Sequence, residues 1–197
     1  MLDPKAALRA QLRARRAAHG TPVDGGPNHT QDGGAAALAA HLDTHAAWRS
    51  ARSVAGFMAV RGELAVTHAL SAARARGATV ALPRAFGGRL TFHRWAGEAL
   101  QAGAYGILEP DPTLPLLDPA SFDVLLVPGV AFTSAGARLG QGGGYYDRVL
   151  AGPRGLAIGV AWAFQVVDAV PIDPWDQPVD ALVTEDGWVL GTSRRPT

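Results

Sequence analysis

The sequence predicts an α/β protein, a three-layer α/β/α sandwich in which helices cover both faces of a mostly parallel central sheet. Two patterns support this prediction. Short continuous apolar runs, such as 123–127 and 156–161, are typical of strands buried on both faces. Segments of helical composition, such as 64–76, lie between these runs. Ligands in such sheets bind beyond the carboxyl ends of the strands, so we expect chemistry in the loops after Val127 and Ala161.

Local signals place the individual elements. Asp3 is suited to cap a first helix, and Pro4 is suited to open it. The stretch 20–34 is rich in Gly, Pro, Asn and Thr, which predicts a flexible loop. We expect helices at 4–18, 35–48, 64–76 and 144–150. We expect strands at 54–60, 78–82 (stopped by Pro83), 90–95, 123–127, 156–161 and 181–184, followed by a hairpin strand at 187–190. Because no internal repeat or domain linker is visible, residues 1–197 are predicted to form a single domain.

Composition excludes several classes of protein. The chain is 48% hydrophobic and 18% charged, which excludes a disordered protein. The formal net charge of +1 argues against nucleic-acid binding. The absence of cysteine excludes disulfides, thiolate nucleophiles and cysteine metal sites. No apolar run reaches the roughly 18 residues of a membrane helix, so we expect a cytoplasmic protein that does not bind a membrane. We also expect a monomer that does not bind nucleic acid.

The segment 138–147 is the strongest candidate for a binding site. Four of its residues, Gly140, Gly142, Gly143 and Gly144, are glycines that directly precede a predicted helix. Glycine backbone N–H groups can cradle an anion, the arginine at 138 can bind phosphate through two hydrogen bonds, and the aspartate at 147 is suited to hold Mg²⁺. The P-loop and dinucleotide-binding patterns are both absent. A flexible glycine turn with a solvated arginine is the alternative, and the neighbouring tyrosine pair favours the binding site.

The same segment, Arg-Leu-Gly-Gln-Gly-Gly-Gly-Tyr-Tyr-Asp, resembles the signature loop of the 5-formyltetrahydrofolate cyclo-ligases. The resemblance extends along the chain except for 20–34. Lys5 and Arg9 match the family's N-terminal basic pair, and Glu63 matches its folate-contacting glutamate. Asp176 lies in a C-terminal block that also matches.

This resemblance implies a Rossmann-like fold of the sugar-phosphate isomerase and CoA-transferase type. It also implies an ATP- and Mg²⁺-dependent conversion of 5-formyltetrahydrofolate to 5,10-methenyltetrahydrofolate, with release of ADP and phosphate. The formyl oxygen would be phosphorylated and N10 would close the ring. The implied ATP-binding residues are Lys5, Arg9, Arg138, Leu139, Gly140, Gln141, Gly142, Gly143, Gly144, Tyr145 and Tyr146. The implied folate-binding residues are Glu63, Gln141, Gly142, Gly143, Gly144 and Tyr145, the implied metal ligands are Asp147 and Asp176, and the implied catalytic residues are Lys5, Arg138 and Asp147.

Other interpretations stay open at this point. Glu63 could cap the helix expected from residue 64, and Asp176 could cap a loop near prolines. Arg13 and Arg16 are interpreted as a solvated helix face. The chain as a whole could be a non-catalytic nucleotide or folate binder, or a sugar-phosphate isomerase or CoA-transferase-like enzyme on the same fold.

Overall fold

A computed structural model describes residues 3–19, 29–103 and 106–189. Its helices are α1 (Pro4–His19), α2 (His29–Thr44), α3 (Ala46–Ser50), α4 (Thr67–Ala75) and α5 (Tyr145–Leu150). Its strands are β1 (Ser53–Ala55), β2 (Thr79–Phe86), β3 (Arg89–Arg94), β4 (Gln101–Ala102), β5 (Leu108–Glu109), β6 (Leu116–Leu117), β7 (Val124–Pro128), β8 (Ala131–Phe132), β9 (Arg138–Leu139), β10 (Leu156–Val160), β11 (Ala181–Thr184) and β12 (Gly187–Val189). Short 3-10 turns lie at Pro119–Ser121 and Ala163–Gln165.

One sheet of eight strands forms the centre, in the order β12-β11-β10-β7-β1-β2-β3-β6. The five neighbouring strands β11, β10, β7, β1 and β2 pair in parallel. Strands β3 and β6 at one edge and β12 at the other edge pair antiparallel. The side chains of β7 from Val124 to Val127 are fully buried, because both faces of this central strand are covered. The predicted α/β class with a mostly parallel sheet is confirmed.

Alternate residues of the central strands enter two separate hydrophobic clusters. Val54, Leu126 and Ile158 pack with residues of α2, α3 and α4. Ala55 and Leu125, each one position away along its strand, pack with Leu150 of α5 and its neighbours. Since successive side chains of a strand point to opposite faces, helices lie on both faces of the sheet. The molecule therefore has three layers.

Helix α1 lies over the connection that follows β7. The carboxylate of Asp3 accepts a hydrogen bond from the backbone N–H of Lys5 at 2.9 Å, which is the predicted cap. Further along the helix, Leu12 packs against Val130 and Leu139 in a third cluster. This packing brings the N-terminal helix beside the glycine-rich loop.

The prediction of a loop over 20–34 is wrong from residue 29 onward, because α2 begins at His29. Residues 20–28 lie outside the described part of the chain. Gly34 is buried in this helix, and a Cβ built on it would lie 2.5 Å from a ring carbon of Trp162. Glycine is a poor helix former in isolation, but here it allows close packing that favours the helix over its intrinsic propensity.

Three further boundaries differ from the prediction. Pro83 does not stop β2, which continues to Phe86. The strand pairs with β1 only as far as Ala81 and is paired on one side beyond it, where proline is tolerated. Strand β1 ends at Ala55, and the apolar residues after it line a cavity instead. Helix α4 begins only at Thr67, three residues later than expected.

Membrane-spanning helices are absent from the described ranges, since none of the helices there is both long and apolar enough.

Candidate functional site

A cavity of about 360 Å³ opens at the carboxyl ends of β1, β2 and β7. This is the position at which ligands bind in parallel sheets. Its lining comes from four parts of the chain: α1, the turn after β1, the β2–β5 region, and the segment from β7 to α5. The residues are Arg13, Phe57, Met58, Val60, Arg61, Glu63, Pro83, Ala85, Leu90, Ile107, Glu109, Pro128, Gly129, Arg138, Gly140, Gln141, Gly143, Gly144, Tyr145, Tyr146 and Asp147.

The glycines of the loop have conformations that other residues rarely adopt. Gly142 has φ +108° and Gly144 has φ +64°, both in the left-handed region. At Gly143 a Cβ would lie 2.7 Å from the ring of Tyr145. Other side chains at these positions would strain the backbone or clash with Tyr145, so this loop conformation depends on glycine.

Arg138 and Asp147 form an ion pair at the wall of the cavity. Nη2 of Arg138 lies 2.6 Å from Oδ1 of Asp147, and the arginine is 4% exposed. Nε of Arg138 and the hydroxyl of Tyr146 are buried and have no hydrogen-bond partner among the described residues. Burial raises the pKa of Tyr146, so its hydroxyl stays protonated and can donate. Two donors therefore remain free for a ligand with oxygen acceptors.

Lys5 is held by two carboxylates beyond the cavity lining. Its Nζ lies 2.6 Å from Oδ2 of Asp173 and is also paired with Asp176. Burial would lower the pKa of Lys5, but the hydrogen bonds to the two aspartates outweigh it and raise that pKa. Burial likewise would raise the pKa of Asp176, but the bonds from Lys5 and from the backbone N–H of Asp173 hold it below its ordinary value. Lys5 and Asp176 therefore both stay charged at neutral pH.

Further basic residues of α1 contact the loop and the turn after β1. Nε of Arg9 donates to the carbonyl oxygen of Gly140 at 2.9 Å. Arg13 donates to the side-chain oxygen of Gln141 at 2.7 Å. Arg16 is 1% exposed and pairs with Glu63 at 3.3 Å. The interpretation as a solvated face is wrong for Arg16, which is buried, whereas Arg13 is exposed although it contacts the loop. The spacing 9, 13, 16 places all three on the side of α1 that faces the site.

Glu63 faces the cavity from the turn after β1. Its Oε1 contacts Arg16 and accepts from the side-chain amide of Gln141 at 3.4 Å, and its Oε2 accepts the N–H of Val60 at 3.2 Å. Burial raises the pKa of the Glu63 carboxyl, and the charge of Arg16 opposes that rise. The carboxylate does not cap α4, whose N-cap is Val66.

The predicted site residues do not all lie at one surface. The cavity lining contains Glu63, Arg138 and Asp147 and most of the glycine loop, but not Lys5, Arg9, Leu139, Gly142 or Asp176. The side chain of Leu139 is buried against α1 instead. Gly142 lies 3.8 Å, measured from a built Cβ, from the guanidinium of Arg9.

The structure also brings in carboxylates that were not selected from the sequence. Glu109 is 2% exposed, lines the cavity, accepts the N–H of Ala85 at 3.1 Å and lies 3.5 Å from Arg84. Asp173 holds Lys5. Only the contact with a distant strand or helix marks these residues, and no local spacing in the sequence could have done so.

The donor set fits Mg²⁺ that arrives with a phosphate group. One or two carboxylates suffice when phosphate oxygens supply further ligands. Gln177, next to Asp176, donates its backbone N–H to Oδ1 of Asp147 at 3.2 Å, so the two candidate ligands lie in neighbouring segments. Within the described ranges no group of three or more His, Cys, Asp or Glu side chains could hold a metal by itself. Asp147 and Asp176 would therefore hold the ion together with the substrate.

Fold and site together define an α/β protein with a glycine-rich loop and a cavity at the carboxyl edge of its sheet. Residues 2–185 match the model of the 5-formyltetrahydrofolate cyclo-ligase family. The chain belongs to this family, as the resemblance in the sequence implied.

Named relatives agree with this assignment. The 5-formyltetrahydrofolate cyclo-ligase of Saccharomyces cerevisiae is 36% identical over 111 residues, 50% of this chain and 52% of the yeast protein. That of Mycolicibacterium smegmatis is 34% identical over 125 residues, 62% of this chain and 61% of that protein. The aligned part of the chain thus spans about half to three-fifths of the length of these curated relatives.

Solved structures match over nearly the whole chain. The 5,10-methenyltetrahydrofolate synthetase of Aquifex aeolicus has a TM-score of 0.80 and 31% identity, and the match covers 99% of this chain and 97% of that one. The synthetase of Mycoplasma pneumoniae has a TM-score of 0.72 over 93% of this chain and 99% of that one. Its identity is 21%, so this second match supports the fold alone.

Proposed function

We propose that this protein converts 5-formyltetrahydrofolate to 5,10-methenyltetrahydrofolate, the two compounds in the names of its relatives, and that the reaction consumes ATP. The observation that carries the proposal is the loop 138–147, whose Arg138–Asp147 pair and glycines 140, 143 and 144 line the same cavity as Glu63. Arg138 and the glycine loop suit a polyphosphate, and Glu63, which contacts Gln141 of that loop, suits a ring system that presents N–H groups.

The proposed chemistry first activates the formyl group. The γ-phosphoryl group passes from ATP to the formyl oxygen and releases ADP. N10 then attacks the formyl carbon and loses its proton, and the oxygen leaves with phosphate. A new bond forms for each bond that breaks, and the reaction needs no nucleophile from the protein. Such transfers depend mainly on positioning and on neutralising charge.

The residues of the chain divide these tasks. Arg138 and the N–H groups of the glycine loop would bind phosphate oxygens, and Lys5 and Arg9 would add positive charge from α1. When bound at Asp147 and Asp176, Mg²⁺ would supply further neutralisation of the phosphate oxygens. Within the same cavity, Glu63 would accept hydrogen bonds from the N–H groups of the pterin.

A direct assay tests this function. Purified protein is mixed with 5-formyltetrahydrofolate, Mg²⁺ and ATP, and the absorbance of the methenyl product is followed together with ADP release. We expect one ADP per product and no reaction without ATP or after removal of Mg²⁺ by a chelator. Absence of ATP-dependent product would exclude the cyclo-ligase function.

The remaining assignments belong to the same proposal. Residues 1–197 would act as one monomeric domain in the cytoplasm, without nucleic acid or membrane as a partner. The net charge of +1 supports the absence of nucleic acid. Light scattering during gel filtration tests the monomer, since a dimer would elute with twice the mass.

A further inference from the structure

Arg16 is the most deeply buried charged residue of α1, yet it is not part of the cavity lining. Its guanidinium makes two contacts with one segment, the turn 60–63. Nε donates to the carbonyl oxygen of Arg61 at 2.9 Å, and Nη1 lies 3.3 Å from Oε1 of Glu63. One side chain thus contacts both the backbone and the carboxylate of the turn.

The turn has little freedom to change its shape. Arg61 has φ +51°, the one described residue other than glycine in the left-handed region. Gly62 has φ +75°, and a Cβ there would lie 2.9 Å from the backbone oxygen of Arg16. The indole N–H of Trp162 donates to the carbonyl oxygen of Gly62 at 2.8 Å. The turn is therefore held between α1 and the residues after β10.

We propose that Arg16 is a positioning residue, which orients the Glu63 carboxylate toward the N–H groups of bound folate and places a positive charge beside it. This inference rests on the proposed function. A guanidinium has several donors in one plane, so it can contact the carbonyl oxygen and the carboxylate together. A lysine at the same place has a single ammonium group and can supply the charge without the two-point geometry.

Charge at this pair decides whether Glu63 is an acceptor. The charged and titratable groups around the pair are Arg13 of α1, Arg61 of the turn itself and Tyr146 of α5, with the amide of Gln141 in contact. Burial raises the pKa of Glu63, and Arg16 is the charge that opposes it most. Without Arg16 the pKa of Glu63 rises further, and a larger fraction of the carboxyl is protonated at neutral pH. A protonated carboxyl loses acceptor capacity toward N–H groups.

The test compares Arg16→Gln with Arg15→Gln, a matched control that removes a charge from an exposed neighbour resting on Phe164. For Arg16→Gln we expect the KM for 5-formyltetrahydrofolate to rise about 10- to 100-fold, the range for hydrogen bonds to charged groups. The KM for ATP and kcat stay close to those of the unmodified protein. Because Glu63 regains its charge as pH rises, this folate KM falls with increasing pH. Arg15→Gln should leave all three constants unchanged.

Arg16→Lys is the variant to use if Arg16→Gln does not fold. It should return the pH dependence of the folate KM to that of the unmodified protein, but it should restore only part of the folate affinity. Glu63→Gln should show a raised folate KM without pH dependence, and adding Arg16→Gln to it should change the KM little further. Equal losses in kcat and in both KM values, or additive effects in the double variant, would overturn the inference.

Carboxyl carbon NMR gives a readout that needs no activity. The titration of Glu63 is followed in the unmodified protein, in Arg16→Lys and in Arg16→Gln. We expect its pKa to rise in Arg16→Gln alone, and an unchanged pKa would overturn the inference. Failure of the proposed function is seen separately, as an unmodified protein that makes no methenyl product.

Discussion

Replacing either of two adjacent glycines of α2 by alanine should have opposite effects on stability. Gly33 is exposed, and a Cβ built on it meets nothing within 4 Å. Gly34 is buried, and its Cβ would lie 2.5 and 2.6 Å from two ring carbons of Trp162 and 3.1 Å from a methyl carbon of Leu64. The ring cannot easily move aside, because Trp162 is 1% exposed and its indole N–H is bonded to Gly62.

The magnitudes follow from two opposing terms. Alanine in place of glycine in a helix gains about 0.8–1.0 kcal/mol, so Gly33→Ala should raise the free energy of unfolding by roughly that amount. Gly34→Ala has the same gain, but overpacking a core costs about 1–3 kcal/mol. The net change for Gly34→Ala therefore lies between about 0 and 2 kcal/mol of destabilisation. The two variants should differ by about 1–3 kcal/mol, which is the overpacking cost alone.

Urea unfolding followed by circular dichroism measures both variants against the unmodified chain. The expected order of midpoints is Gly33→Ala above the unmodified protein and Gly34→Ala at or below it. Equal stabilisation by both substitutions would refute the close contact between α2 and Trp162. No effect from either would refute the helix itself at these positions.

Three other substitutions test the site and the fold. Asp147→Asn should lower kcat about 100-fold or more in the methenyl assay. The free energy of unfolding should fall by under about 2 kcal/mol, because asparagine keeps an oxygen for Arg138. Comparable losses of activity and of stability would indicate a structural aspartate. Gln165→Leu should lower the free energy of unfolding by about 2–4 kcal/mol in urea, since two buried carbonyl oxygens lose their donor; a near-neutral result would contradict these bonds. Burial opposes the charge of Asp123, but backbone N–H groups at the start of β1 outweigh it and hold the pKa of Asp123 below its ordinary 3.8. The charged Asp123 therefore stabilises the protein above pH 3.8, and this stabilisation is lost as pH falls below it. Asp123→Asn should show a weaker decline of thermal stability below about pH 4, and an unchanged decline would refute this role.

The order of the longer strands could be predicted because the sheet is buried on both faces, whereas the two-residue strands β4, β5, β6, β8 and β9 were not expected. Runs such as 123–127 and 156–161 are apolar throughout, and the structure has strands there, as it has at 181–184. The predicted helix at 35–48 covers most of α2, but the start of α2 could not be placed. Glycines near this start are unfavourable locally, and the packing that favours them involves Trp162, far along the chain. The continuation of β2 past Pro83 depends on where its neighbour β1 ends, and the residues around Pro83 do not indicate that position.

The candidate site divides in the same way. The segment 138–147 was predictable because its unusual density of glycine is a local signal, and its approach to a ligand needs that composition. The roles of Arg13 and Arg16 were not, because a charged residue on a helix is typical of a solvated face until its partner is known. Glu109 and Asp173 lacked any periodic pattern, and only the tertiary structure brings them to the cavity lining and to Lys5.

The contacts of α1 have a consequence for how the protein is made. Arg9 and its acceptor at Gly140 are 131 residues apart, and Lys5 and Asp176 are 171 residues apart. A ribosome synthesises this helix before any of the described strands, and these two partners come far later. Arg16 of the same helix meets its partners much earlier, because Arg61 and Glu63 are only 45 and 47 residues away. A product that stops before residue 140 would therefore keep the partners of Arg16 but lack those of Lys5 and Arg9.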